Sequence, residues 1–411
     1  MQRKAENIRH RRLNYFRELL ALSEGEMKES NYLHSFAGKI LRIKLSNGKF
    51  SSMPTEIYAK EWLGSSGIAI KLLFDELREW VTPYDPANKL IFGAGTLVGT
   101  TAPGASKSSM STLGPVTGGW ASGLSDSHTG WQLKCAGYDL IVIDGKSHIP
   151  VYLLIHDEKI EIRSAAHLWG LTTWDTVDRL KDELGDLNLH VVSIGPAGEN
   201  MVRGACIIQD KSRAFGRCGT GAVMGSKNLK AIVVKGSGSI KVAHPQRFMT
   251  VAGKIRKKYE KAKTFQNFHR YGTLFNYDAK QENCGFPFKN FQSQCLPGEL
   301  FNSINPHKMI DKFKVASKNY PGCPIGCGHI LHINEGPYSG LIAQCNQMEV
   351  MGTIQTRLAV MEPTFMVMAN AICNQLGLDV DAAGGAIGWA MECYQRGIID
   401  EGDTDWLSLK W

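Results

Sequence analysis

The sequence predicts an α+β fold, with a β-rich region over residues 36–240 followed by a mostly helical region over 241–411. Three observations carry this. Short apolar runs bounded by turn residues recur up to about residue 240. Glycine is plentiful, 43 residues against a usual share of about 7%, and it gathers in loops without any repeat. Beyond 241 the apolar residues change to helical spacing, which marks a domain boundary near 240.

Taken in order, AGKILRIKLSNGKF alternates Leu41, Ile43 and Leu45 and then turns at Asn47-Gly48, a strand entering a hairpin. YDLIVIDGK and VYLLIHDEKIEIRS read as strands, the second with a turn near Asp157-Glu158. TWDTVDRLKDEL has helical spacing, LHVVSIGPAGEN is a strand running into a glycine turn, and KAIVVKGSGSIKV predicts two more strands. HPQRFMTVAGKIRKKYEKAKT, FMVMANAICNQLGL and DAAGGAIGWAMECYQRGII are helical, and strand signals become few. Residues 1–35 form a basic extension, with six Lys or Arg against two Glu in the first 20. Leu13, Phe16 and Leu20 recur there at helical spacing, so an amphipathic helix with a solvated charged face is expected.

About half of the net charge of +8 sits in those first 20 residues, so the rest gives nucleic-acid binding little support. No run reaches the roughly 18 apolar residues of a membrane helix, and the N-terminus lacks the apolar core of a secretory signal. The expected compartment is the cytoplasm, where most of the ten scattered cysteines should be buried thiols.

Four stretches carry chemistry. SRAFGRCGTGAVMGSKNLKAI (212–232) sets Gly216, Gly219, Gly221 and Gly225 among Arg213, Arg217, Lys227 and Lys230. Glycines admit an anion to the backbone and guanidinium forks hold phosphate, although the spacing is neither a P-loop nor GxGxxG, and a plain glycine turn reads equally well. GTTAPGASKSSMSTLGP (99–115) is a second such loop, with Lys107 its cation. CNQLGLD (373–379) reads as a helix stopped at Gly377 with a surface Asp379 after it. NYPGCPIGCGH (319–329) holds Cys323 and Cys327 four apart in a tight turn, either two buried thiols or part of an iron–sulfur ligand run. Glu349, in NQMEVMG, has apolar neighbours and reads as a paired structural carboxylate or a buried acid–base group.

Together, AGKILRIKLSNGK, DPANKLIFGAGTLVGTTAPGA, LKCAGYDLIVIDGK, SIGPAGEN, RAFGRCGTGAVMGSKNLKAI, CPIGCG and CNQLGLD resemble, in order, the aldehyde:ferredoxin oxidoreductase family over residues 36–411. The resemblance implies a β-rich pterin-binding domain (36–240) and a helical middle domain (241–411). It further implies tungsten or molybdenum held by two pterins (tungstopterin, bis-molybdopterin), magnesium between the pterin phosphates, and a [4Fe–4S] cluster. The implied reaction oxidises a small aldehyde to a carboxylic acid, with electrons passing through the cluster to ferredoxin or another electron-transfer subunit. A homodimer or a separate C-terminal subunit would complete the assembly.

Carried over by position, Arg213, Ala214, Gly216 and Arg217 match the pterin-phosphate loop. Asn374, Gly377, Leu378 and Asp379 match the pterin motif, Asp379 accepting from ring N–H groups. Lys107 stands where the family has Arg, keeping the charge and losing the fork. Leu124 and Asp126 stand where Asn and Gly give backbone contacts near the phosphates, and LGSSG (63–67) replaces Gly-Gly-Arg-Gly. In the cluster run, Cys323 and Cys327 match metal ligands and Tyr320 takes the first cysteine's place, for which Cys295 or Cys345 are candidate substitutes. The sequence is expected to stop before the family's third domain, which carries the fourth cysteine. Glu349 is the candidate proton-handling residue. A truncated or degenerate member serving as a scaffold, and an aryl-thioester reductase, are the competing readings.

Overall fold

The computed structural model describes residues 33–345 and 347–404; the expected N-terminal helix lies outside them. Strands β1 (Lys39–Lys44), β2 (Lys49–Pro54), β3 (Leu90–Ala94), β4 (Lys107–Leu113), β5 (Trp120–Asp126) and β6 (Leu140–Asp144) make one six-stranded sheet, ordered β2-β1-β6-β3-β4-β5. A second sheet, ordered β11-β10-β9-β12-β7-β8, is built from β7 (Val151–His156), β8 (Lys159–Ser164), β9 (His190–Ser193), β10 (Ile207–Gln209), β11 (Arg213–Phe215) and β12 (Leu229–Lys235). Both are antiparallel except for the β1·β6 and β12·β7 pairs.

The continuous apolar runs LIVID and LKAIVV follow from burial on both faces. Leu41, Ile43, Phe92, Ile141 and Ile143 of the first sheet meet Leu153, Ile155, Val192, Ile232 and Val234 of the second. The alternate residues Ile40, Ile91, Leu140 and Val142 pack on the helix Ser66–Glu76. On the far side, Tyr152, Val191 and Val233 pack on the helix Thr173–Leu184. That helix starts where Thr172 Oγ1 accepts from Asp175 N–H and stops at left-handed Gly185. The result is helix, sheet, sheet, helix.

Two expectations are corrected here. KAIVVKGSGSIKV yields one strand, β12, because the glycines after Lys235 leave no side chains to pack on the sheet. The later region is also less purely helical than expected. β13 (Lys314–Lys318), β14 (Gly328–His332) and β15 (Ile342–Gln344) form a three-stranded antiparallel sheet beside its helices. The three expected helices form at Pro245–Glu260, Phe365–Leu376 and Val380–Gln395. The last two share a core with Tyr277, Phe286, Leu331 and Met351, against which the Tyr277 and Phe301 rings stack at 4.5 Å.

The cysteines also depart from a uniform set of buried thiols. Cys284 and Cys295 form a disulfide, so Cys295 is no free ligand for the loop at 320. Cys345 is fully buried in the helical core, its Sγ on Met366 O at 3.6 Å, and burial pushes its thiol up to about 12. No helix among the described residues is long and apolar enough to cross a membrane.

Candidate functional site

The helix Phe365–Leu376 ends at Gly377, whose φ of 70° is the left-handed conformation that favours glycine. A Cβ there would stand 2.7 Å from the Gly195 nitrogen, so the motif lies flat on the first region. Cys206 N–H donates to Gly377 O (2.9 Å), Asp379 N–H donates to Gly204 O (3.0 Å), and Leu378 forms a bridge with Ala205. Thr173 Oγ1 donates to Asn374 O at 2.7 Å. CNQLGLD is therefore a seam that carries the later helices on the two-sheet layer.

Across the seam, β11 brings up Arg213 and Ala214, and the edge strand β5 with its neighbour β4 brings up Lys107, Leu124 and Asp126. Lys107 faces Asp126 in the register, and Leu124 and Asp126 share a strand face at the i, i+2 spacing. These five, with Glu349, Asn374, Leu378 and Asp379, line one cavity of about 200 Å³. Residues far apart in sequence thus meet at one place. Gly216, Arg217 and Gly377 are not in its wall. Arg217 reaches Asp381 at 3.6 Å, and Gly377 holds the seam behind.

The electrostatics of the wall are specific. Burial works to raise the Asp126 carboxyl, yet Lys107, a Ser106 hydroxyl hydrogen bond and Arg213 hold it below the usual carboxylate range. Ser106 Oγ donates to it at 2.6 Å and Lys107 Nζ at 3.2 Å. The Asp126 charge is accordingly already compensated from within the wall. Asp379 behaves in the opposite sense: burial, with Asp381 nearby, raises its carboxyl. It caps the helix Val380–Gln395 by accepting from Asp381 N–H at 3.1 Å. Arg213 is braced by Tyr320, its Nε donating to the phenol oxygen at 3.1 Å and its guanidinium lying 5.0 Å from the ring centre. Its buried Nη2 has no hydrogen-bond partner.

Three assignments change. Lys227 and Lys230 do not face the cavity. Lys227 is buried against the carbonyls of Pro86, Asn88 and Gly145, and burial lowers it to about 8. Lys230 pairs with Glu199 and donates to Leu171 O, because its strand β12 is central and both its faces are covered. Glu349 is exposed: Met348 and Val350 turn into the core, so the carboxylate between them faces the cavity mouth.

Cys323 and Cys327 lie in a loop shaped by left-handed Gly322 and Gly326. Cys323 and Tyr320 line a second, larger cavity of about 420 Å³ with Trp131 and Arg256. Burial raises the Cys323 thiol. An iron–sulfur cluster takes four protein ligands, and this loop supplies two thiols plus a tyrosine occupied by Arg213. The described residues do not fit a complete cluster. Ser125, Ser212, Gln347, Val350, Asn370 and Val380 also line the first cavity and were not singled out by sequence. Asn370 sits one turn before Asn374 on the same helix, a spacing that could have revealed it.

Fold and cavity together define a two-sheet layer joined through a glycine seam to a helical region, with an arginine and lysine wall suited to a phosphate-bearing ligand. The N-terminal domain model of aldehyde ferredoxin oxidoreductase matches residues 40–236, and the model of its domains 2 and 3 matches residues 250–411. The chain belongs to the aldehyde ferredoxin oxidoreductase family. A tungsten-containing aldehyde ferredoxin oxidoreductase of Pyrococcus furiosus is 39% identical over 386 residues, 91% of this chain and 61% of that protein. An aliphatic sulfonate oxidoreductase WOR-like subunit of the same organism is 32% identical, over 92% of this chain and 62% of that protein. The solved BamBC active-site complex of benzoyl coenzyme A reductase, with bound 1,5-dienoyl-CoA, superposes with a TM-score of 0.80 at 28% identity. It covers 91% of this chain and 58% of that one. The chain thus spans about 61% of the length of the first of these relatives.

Proposed function

We propose that the protein is an oxidoreductase of the tungsten- or molybdenum-pterin kind, acting on a small aldehyde or related carbonyl compound. The observation that carries this is the single cavity where Arg213, with a buried unpartnered nitrogen, meets the 374–379 seam. A pterin phosphate would satisfy that nitrogen, so the residues present fit the group. Arg213 and Lys107 would hold the anionic end of the pterin, and Asp379 and Asn374 its ring. When bound, the metal–pterin group supplies two-electron redox chemistry with oxygen transfer. Asp126 keeps Lys107 placed through their direct contact, and Ala214 and Leu124 complete the wall beside them. Glu349 is proposed to take up or release a proton on its carboxylate oxygen at the cavity mouth.

No step is assigned to an iron–sulfur cluster or to magnesium. The cluster loop offers two thiols, and Asp126 is already engaged by Ser106 and Lys107. The residues between 236 and 250 are proposed as the division between the pterin-binding and middle domains. Ferredoxin or another electron-transfer protein is the proposed acceptor, and the cytoplasm the proposed compartment. The test is mass-spectrometric metal analysis of the chain purified from a host supplied with tungstate and molybdate, together with pterin analysis after oxidation. Dye-coupled assays would cover aldehydes and, given the benzoyl coenzyme A reductase likeness, aryl thioesters. Stoichiometric pterin and metal support the proposal; a folded chain holding neither sinks it in favour of a scaffold.

A further inference from the structure

Apart from the cavity, three polar side chains converge beside the cysteine loop. β9 and β10 pair antiparallel, so His190, at the start of β9, comes up against Asp210, just past the end of β10. Asp210 takes a left-handed backbone (φ 52°), which Asp tolerates better than most residues and which turns its carboxylate back over β9. Its Oδ1 accepts from Val191 N–H at 3.1 Å, and its Oδ2 lies 3.1 Å from His190 Nδ1. His128 opens the helix His128–Cys135, held there by the Ser127 cap, and its ring lies 4.3 Å from that of His190 and 4.9 Å from that of Tyr320.

One ligand atom from each of His128, His190 and Asp210 lies within 4.8 Å of the other two. A structural His–Asp pair accounts for His190 and Asp210 only. It leaves the buried His128 Nδ1, which has no hydrogen-bond partner. Such an orphan costs on the order of 1–3 kcal/mol unless something satisfies it. Two imidazoles and a carboxylate are the donor set of zinc and of non-haem ferrous iron, and the backbone bond to Oδ1 orients the carboxylate as outer partners of metal ligands do.

The geometry points to a divalent transition-metal site, of the zinc or ferrous-iron class, formed by His128, His190 and Asp210. The two rings are now nearly parallel, 10° apart, so ligation turns the His128 ring until a nitrogen meets the edge shared by His190 and Asp210. Lys318 is the nearby cation, acting on both His128 and Asp210. Its Nζ lies 5.7 Å from the centre of the Tyr320 ring. The bound ion ties the end of β10, the start of β9 and the helix beginning at His128 together behind the cysteine loop. This site rests on no part of the proposed redox function.

The test uses cobalt(II) as the probe on the full chain carrying Cys323→Ser and Cys327→Ser, which removes those thiols as competing ligands. Equilibrium dialysis is expected to show one cobalt per chain with the visible bands of low-coordinate nitrogen and oxygen ligation. His128→Ala and Asp210→Asn should each weaken retention at least tenfold. No retained cobalt, or retention unchanged in both variants, overturns the site. Should either variant fail to fold, the unaltered chain decides: zinc(II) should protect His128 and His190 from diethylpyrocarbonate, read by peptide mass spectrometry. Equal modification with and without zinc overturns the site as well.

Discussion

The cavity wall and the cysteine loop share Arg213 and Tyr320, yet they spend their polar groups differently. On the cavity side Arg213 keeps a buried nitrogen unpartnered, while Asp126 is matched by Ser106 and Lys107. On the loop side the position nearest Cys323 and Cys327 goes to a phenol that braces Arg213. One region keeps a buried donor open. The other lends its phenol to hold that donor's side chain in place. The lesson is that a single side chain, Tyr320, ties two neighbouring sites together by spending its polar group across their border.

Arg213→Ala tests the comparison most severely. It removes the cation from beside Asp126 and the partner of Tyr320, for an expected loss of about 2–4 kcal/mol in urea unfolding. Inorganic phosphate should then no longer raise the unfolding midpoint. An unchanged phosphate effect would show that the anion site lies elsewhere. Gly377→Ala attacks the seam that both regions depend on. With φ at 70° and Gly195 in the way of a Cβ, it should cost about 1–3 kcal/mol. Gly216→Ala, where the nearest atom to a new Cβ is 3.8 Å off, should cost far less.

A pH series separates the two regions next. His329, which follows the cysteines, is buried and desolvation lowers it to about 4, although its Nε2 meets His269 O at 2.9 Å. Its folded value lies below the ordinary one of about 6.5, so the unfolded chain binds the proton first. Stability should therefore fall as pH drops from about 6.5 towards 4 and level off below. Burial lowers His128 to about 4 as well, so His329→Gln should reduce that slope in urea midpoints without abolishing it. A slope unchanged by the substitution would assign it to other groups. Asp126, held low, gives a separate loss only below about pH 4, as pH falls through its folded value.

The Tyr320 contact sharpens the comparison most. Tyr320→Phe removes the acceptor of the buried, charged Arg213 Nε and should cost about 1.5–3 kcal/mol. Tyr320→Cys restores a third thiol to the loop, so anaerobic reconstitution with iron and sulfide should give more iron per chain than the unaltered protein takes up. Equal iron in both would mean that the loop's shape, not its missing thiol, limits the metal.

Much of the frame was legible in the sequence because its signals are local. The Asn47-Gly48 hairpin, the apolar runs of β6 and β12 and the Gly377 stop each depend on a few adjacent residues. The membership of the cavity was legible only through the resemblance, since Lys107, Arg213 and Asp379 are joined by nothing in their spacing. Direction was not legible. Arg213 and Lys230 share one basic, glycine-rich stretch, yet the first faces the cavity and the second is buried against Glu199.

By itself, then, the sequence determined the long apolar strands of the first region, its hairpin turn and the glycine stop, because backbone preference and apolar period act over a few residues. Tertiary structure alone decided that Cys295 pairs with Cys284, that Glu349 faces outward and that Tyr320 holds Arg213. It also brought His128, His190 and Asp210 to one edge. A side chain's role follows from what packs against it, and those neighbours come from distant parts of the chain.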